Sequence, residues 1–301
     1  MNVANAFNLL FRCGLRKDFR DNFDRYAPEY PDWMKSSSMD TPELAATIIT
    51  GPSRLYEMGD GEPITYEDMK VGPKVMGVDK EFGLGVAFTK RALEDDQYGK
   101  LKEGAKYLAW AARMTYEYRA ASFLDDAFTG TNFKGVDGQP LFSASHAYQN
   151  GSGVQSNTMT TGLSITGVTQ MTDMAMSQRD WVGDPYKVMP DTIIVSNSSG
   201  EYNKALQIFG SKLEPFTAEN QDNAINKRFA GIKIVVSRFK SSRKSWFMFD
   251  SRSNDVEMRI RRPVQTEDDT DFNTGAALYK VTTRFMIWFV DFHGWFGSNP
   301  T

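Results

Sequence analysis

The sequence predicts an α+β fold, and three features carry that prediction. Leu101, Ala105, Leu108, Ala112, Tyr116, Ala120, Phe123 and Ala127 recur at steps of three or four, the spacing of one face of a single long helix. The run from Asp180 to Asp250 reads as short apolar strands around a helix: a strand over 188–196, a helix ending at Gly210, then strands at Ile232–Val236 and Trp246–Phe249. The chain then closes on an aromatic run, YKVTTRFMIWFVDFHGWF, with apolar residues on both faces of a strand. That order of elements presents no nucleophile, metal cage or phosphate cradle.

Composition narrows the class. At 301 residues, the chain allows one elaborate domain or two intermixed lobes. A hydrophobic fraction of 41% suffices for a core, and a net charge of −3 gives no global pull toward nucleic acid. One cysteine, Cys13, excludes an internal disulfide framework and a thiolate zinc site. No apolar run reaches about 18 residues, so no membrane-spanning helix is predicted. The opening MNVANAFNLLFRCGLRKDF lacks the pattern of a secretory signal, which points to a cytoplasmic setting.

Residues 1–24 place Val3, Phe7, Leu10, Phe11 and Leu15 at roughly helical spacing, with Arg12, Arg16, Lys17 and Arg20 between them; an amphipathic helix packed on a protein surface is expected. From Tyr26 to Asp68 the chain is polar and punctuated, with a tight turn at Gly59-Asp60-Gly61. Leu84, Val86 and Phe88 alternate against Gly85 and Ala87, so 51–89 reads as one long, mostly polar hairpin. Its apolar content is too thin for a core of its own, so such an arm is stable only if something else covers it, an identical neighbour being the natural candidate. Glu94, Asp95 and Asp96 suit the N-terminus of the long helix, a rod of about 45 Å. Loops follow over 128–161, then a helix over about 166–179. Ser198 and Glu201 form a capping-box pair for the helix that ends at Gly210. In the closing strand, Tyr279, Val281, Phe285, Ile287 and Phe289 share one face, and Met286, Trp288, Val290 and Phe292 the other; the long helix is the simplest cover.

Candidate chemistry is sparse. Ser143, Ser145, His146 and Asp137 are pieces of a hydrolase triad, but no GxSxG elbow or oxyanion motif accompanies them, and His146 is expected at the surface of a loop. His293 is expected in the core. Glu267-Asp268-Asp269 with Asp271 could meet a hard cation but lack a calcium-loop spacing, so a solvated charged loop is expected. Gly83-Leu84-Gly85 has no third glycine and no following helix to make a nucleotide fingerprint. Arg238, Lys240, Arg243, Lys244, Arg252, Arg259, Arg261 and Arg262 make 238–262 locally basic. A basic stripe for nucleic acid and pairing with acids on adjacent subunits both explain it, the second being preferred. No catalytic, cofactor-binding or metal-binding residues are assigned, and no enzyme activity or cofactor is expected.

Several segments in order resemble the major capsid proteins of tailed phages, the Hong Kong 97-type fold, and among them Mu-like prophage major head subunits. FGLGVAFTKRALEDD before the long helix is similar to the family's passage from extended loop to spine helix. VDGQPLFSASH resembles its DGxxLFxxxH loop, DPYKVMPDTIIVSNSSGEYNKAL its proline-strand-helix passage in the axial domain, and FVDFHGWFGSN its returning strand in the peripheral domain.

The resemblance implies an N-terminal arm over 1–50, an extended loop over 51–89 and a spine helix over about 96–128. It implies a peripheral domain over 90–160 and 251–301 and an axial domain over 161–250. By the same resemblance the subunits assemble into pentamers and hexamers of a head enclosing double-stranded DNA, held by weak non-specific contacts, with no membrane involved. The implied partners are a portal, an optional decoration protein and a separate scaffolding protein, unless an N-terminal scaffolding segment has been trimmed away. The implied location is the virion capsid, assembled in the bacterial host cytoplasm. The alternative is an encapsulin-like shell enclosing an enzyme. Lys70, Lys74 and Lys80 lie where some relatives crosslink covalently, and nothing in the sequence selects one of them.

Overall fold

In the computed structural model, which describes residues 14, 16–51, 54–89, 91, 100–149, 153–215, 221–271 and 273–300, two sheets share one long helix. The strands in chain order are β1 (Lys35–Ser38), β2 (Glu43–Thr50), β3 (Lys70–Val78), β4 (Lys80–Phe88), β5 (His146–Ala147), β6 (Val154–Gln155) and β7 (Thr158–Met159). They continue with β8 (Thr192–Ser196), β9 (Lys233–Ser237), β10 (Trp246–Phe249), β11 (Glu257–Thr270), β12 (Ala277–Trp288) and β13 (Trp295–Ser298). The helices are α1 (16–25), α2 (Lys100–Asp126), α3 (Ile165–Ser177), α4 (Ser199–Gly210) and α5 (Ala224–Arg228). The acidic trio Glu94, Asp95 and Asp96, the residue Cys13 and the apolar positions Val3 to Phe11 lie outside the described residues.

The first sheet runs β1-β11-β12-β4. Its centre is the long antiparallel pair β11–β12, whose register shifts around Pro263; proline cannot donate to a ladder, and an irregularity is where a sheet tolerates it. The second sheet runs β7-β13-β10-β8-β9. Every residue of β8, β10 and β13 is buried, which is why TIIVS and WFMF read as continuous rather than alternating apolar runs. One face, with Ile193, Val195 and Met248, packs on Val168, Met171 and Ala175 of α3 and Ala205, Ile208 and Phe209 of α4. The opposite face, with Ile194, Phe247, Phe249 and Trp295, meets Phe123 and Leu124 of α2.

Helix α2 therefore serves both sheets. Its first half places Ala105, Leu108, Ala109 and Ala112 against Tyr279 and Val281 of β12 and Phe19 of α1. Midway, Tyr116 stacks on Phe285 at 4.6 Å between ring centroids and hydrogen-bonds Thr283 at 2.6 Å. The small residues of the stripe let helix and strand come close, as their spacing implies.

Four expectations are corrected. The hairpin expected over 51–89 is instead a ladder of β2 with β3, starting at Glu43, while β4 leaves to pair with β12. The reason is complementarity: Gly83 and Gly85 of β4 sit against Thr282 and Lys280 of β12, where side chains would crowd. The closing strand β13, expected to return into the peripheral domain, joins the second sheet between β7 and β10. A loop after Phe289 with Gly294 at φ +87° redirects the chain there. The helix covers only one face of β12; on the other, Met286 and Trp288 lie against Gly77 of β3. The Ser198–Glu201 capping box does not form: Ser198 makes no side-chain cap bond, and Glu201 pairs with Lys204 at 2.9 Å.

Candidate assembly surfaces

The β2–β3 ladder carries a long irregular loop at its far end; Ile48 and Val75 reach the main core, but among the described residues the ladder has no hydrophobic cluster of its own. Ile49, Val71, Met76 and Val78 on the ladder, and Leu55, Tyr56, Met58, Ile64, Tyr66 and Met69 beyond it, are exposed. Leu55 is 101% exposed and Tyr66 89%. The turn predicted at Gly59-Asp60-Gly61 is present, with Gly61 at φ +79°. Single exposed apolar residues are ordinary; a row of them on one extended arm marks a surface to be covered.

The root of this arm is fastened to its own subunit. Asp79, between β3 and β4, is buried, with Arg284 on both oxygens (Nε at 3.0 Å and Nη2 at 3.1 Å) and Arg261 Nη1 at 3.3 Å. Thr50 donates to Gln149 at 2.8 Å, and Arg54 pairs with Asp184. Sequence reasoning did not single out Asp79; a lone acid between two glycine-bearing strands was the available signal. It also passed over Tyr107, Trp110 and Tyr118, exposed on the solvent side of α2, where Tyr118 meets Phe239 edge-on at 5.2 Å. Large aromatics opposite the helix's apolar stripe would have revealed them.

The basic stretch 238–262 does not assemble into a stripe. Strand and loop geometry sends five of its eight cations to acids of the same chain: Arg238 to Glu29, Arg252 to Asp250, Arg259 to Glu257, Arg261 to Asp79 and Arg262 to Glu81. These five arginines therefore find acidic partners within their own subunit. Lys240 is buried, donating to the Ser245 carbonyl and, at 2.7 Å, to its hydroxyl, and desolvation lowers its pKa to about 8. Of the acids expected in a solvated loop, Glu267, Asp268 and Asp269 are part of strand β11, where alternation separates them, and Asp271 follows it: Glu267 pairs with Lys280 at 2.9 Å and Asp268 with Arg16 at 2.5 Å. Lys70 and Lys74 lie on β3 and Lys80 on β4, all exposed.

His146 is not at the surface. It is fully buried, with Nδ1 at 2.5 Å from Asp137, Nε2 at 3.2 Å from Asn157 and its ring stacked on Phe292 at 3.6 Å. The sequence suggested a loop, and the loop folds inward because its polar groups find partners there. The Ser143 hydroxyl bonds Gln139 and Ser145 at 3.3 Å each, so the serine–histidine contact of a triad is not assembled. His293 is buried, as expected.

Comparison with known proteins gives a consistent picture. A family model described as phage capsid protein matches residues 78–297. Among curated proteins, none matches significantly. The fold is similar to the bacteriophage PhiM1 mature capsid (TM-score 0.57, 10% identity, covering 92% of this chain and 88% of that one). It is similar to the Microbacterium phage Oxtober96 structure (TM-score 0.56, 12% identity, 92% of both chains). It is also similar to a virus-like particle from Pyrococcus furiosus (TM-score 0.55, 10% identity, 95% of this chain and 98% of that one).

Proposed function

The chain belongs to the phage capsid protein family, and on that premise we propose that it is a major capsid subunit whose β2–β3 arm lies over the neighbouring copy in a closed shell. The observation that carries the arm's role is the row of exposed apolar side chains on an element that, among the described residues, has no hydrophobic cluster of its own. Its tip cannot bury Leu55, Tyr56 and Tyr66 on its own subunit, whereas a second copy offers an identical acceptor surface at every position of a shell. Many modest contacts of this kind, repeated around each subunit, stabilise a particle that no single contact would.

In this reading pentamers and hexamers form a virion head around double-stranded DNA in a bacterial host's cytoplasm, with a separate scaffolding protein, a portal and a decoration protein as partners. Pairing of Arg238, Arg252, Arg259, Arg261 and Arg262 with acids of their own chain supports weak rather than clamping contact with the nucleic acid. The role is structural. The regions fit an arm, an extended loop beginning at Glu43, a spine helix α2, a peripheral part on the first sheet and an axial part on the second. Kinship to Mu-like head subunits rests on the loop VDGQPLFSASH.

The encapsulin-like alternative draws on the similarity to the Pyrococcus furiosus particle, which bears on fold alone; the family match favours the phage head. The test is assembly of the purified chain, followed by light scattering and negative-stain microscopy. Wild type is expected to give uniform shells or capsomer rings, and Leu55→Asp with Tyr66→Asp to stay as subunits with unchanged circular dichroism. Shells formed equally well by the double variant would remove the arm from the interface. Co-purified nuclease-resistant DNA supports the head, and a stoichiometric protein cargo supports the compartment.

A further inference from the structure

The tip of the arm has an unbalanced chemistry. Its residues 55–69, LYEMGDGEPITYEDM, hold the carboxylates Glu57, Asp60, Glu62, Glu67 and Asp68 and no lysine or arginine. The acids stand among Leu55, Tyr56, Met58, Ile64, Tyr66 and Met69, all exposed. Glu62 accepts the Gly59 amide at 2.9 Å and Glu67 the Tyr56 hydroxyl, bonds that leave both charges in place. Arg54, just before the tip, is given to Asp184. A surface that covers this tip must be apolar and positive at once.

One groove of the same chain has that chemistry. It lies at the root of the arm, between the end of β3, the start of β4, α2 and the loop at 132–134, and encloses about 270 Å³. Lys80, Arg119 and Lys134 line it, and no carboxylate does. All three cations are exposed, and none forms an ion pair among the described residues. The nearest acids in sequence are engaged elsewhere: Asp79 holds Arg261 and Arg284, and Glu81 holds Arg262. The apolar wall is aromatic, with Phe82 stacked on Phe285 at 4.7 Å and the Arg119 guanidinium 4.8 Å from the Phe82 ring. Met76 and Val78 stand exposed at its rim.

The other large clefts match the tip less well. The one between α1, α2 and β11 has Glu267 in its lining, while its Arg16 pairs with Asp268 and its Arg113 donates to the Phe23 carbonyl. The one over β4 is lined by Glu267, Asp268 and Asp269 and would repel an acidic segment. An arm cannot fill its own groove: the ladder holds Met69 and Val78 at opposite ends, roughly 30 Å apart at about 3.3 Å per residue.

Resting on the arm's role as an inter-subunit element, we propose that the acidic, apolar tip at 55–69 of one copy seats in the groove of Lys80, Arg119 and Lys134 at the arm root of the next copy. The contact joins two different patches of the same chain, so it is head-to-tail and repeats around a ring. The cations steer the tip and fix its register, while burial of its apolar side chains on the aromatic wall holds it.

The test is carbodiimide crosslinking, which joins a carboxylate to an amine in direct contact, on shells assembled from equal parts of isotopically light and heavy full-length chain. Peptides of mixed label that join an acid of 55–69 to Lys80 or Lys134 are expected. Tip acids joined only to other lysines, or to none, would overturn the groove as acceptor. A charge exchange gives a second reading. Lys80→Glu with Lys134→Glu is expected to raise the protein concentration needed for assembly about tenfold, and adding Glu57→Lys with Asp60→Lys in the same chain to restore it. Groove variants that assemble like wild type, or a folded fourfold variant no better than the groove pair, would also overturn the contact. Should the substituted chains fail to fold, the wild-type crosslinks decide. Failure of the arm's own role is a separate result: shells formed equally well by Leu55→Asp with Tyr66→Asp.

Discussion

At the scale of single residues, much of the fold's precision lies in polar groups with several duties. Asp126, the last residue of α2, accepts the amides of Thr131, Asn132 and Phe133 at 2.9, 2.7 and 3.0 Å and the Thr129 hydroxyl at 2.7 Å. Burial works against its charge, but these bonds win and hold its carboxyl below the usual range. Asp126→Ala is expected to cost about 2–4 kcal/mol in denaturant unfolding, through donors left without an acceptor. The carboxylate's contribution should be present above the ordinary aspartate range and fade as the pH falls below it. Lys240 acts in the opposite sense. Its ammonium is desolvated and releases its proton near pH 8, against 10.5 when unfolded. Between those values the unfolded chain binds more protons, so stability should rise with pH, by up to about 3 kcal/mol. Lys240→Met should remove that rise, which paired unfolding curves at several pH values would show. Neither role was visible in the sequence, where Asp126 is one of two adjacent aspartates and Lys240 one of many cations.

Elements reveal where local pattern is enough and where it is not. Helix α2 was legible because 27 residues of regular apolar spacing outweigh any single ambiguity. Strands β8 and β10 were legible because short β-branched and aromatic runs have few other uses. The capping box at Ser198 failed since a favourable motif need not close when Glu201 finds Lys204 instead. The arm's partner strand was missed because β2, ELAATIIT, alternates only weakly and its mate lies twenty residues away across a polar loop. Two changes test how elements dock. Asp79→Ala leaves Arg261 and Arg284 facing each other without their shared carboxylate, and is expected to destabilise by about 2–4 kcal/mol and to speed amide exchange in β3. Gly297→Ala, in β13, would bring a methyl carbon to 2.7–2.8 Å from the Phe142 ring. That ring is packed among Phe128, Phe247 and Trp295, so a loss of about 1–3 kcal/mol in thermal or denaturant unfolding is expected.

For the whole molecule, one helix bridging two sheets means that the relative placement of the sheets depends on few connections. One is α2 itself, and another is the 289–294 connector, whose Phe292 stacks on His146. The assembly prediction belongs at this scale too, since the exposed apolar arm has meaning only when copies meet. The sequence by itself determined the α+β class, the spine helix, the aromatic closing strand and the family kinship, because each rests on periodicity or motif order within a continuous stretch. Only the tertiary structure decided which strand pairs with which, where β13 goes, which acid Arg261 and Arg262 take, and that His146 is buried. The physical reason is range. Periodicity reports which face of an element seeks burial, but partner choice is settled by shape, by glycine clearances and by hydrogen-bond satisfaction between residues hundreds of positions apart.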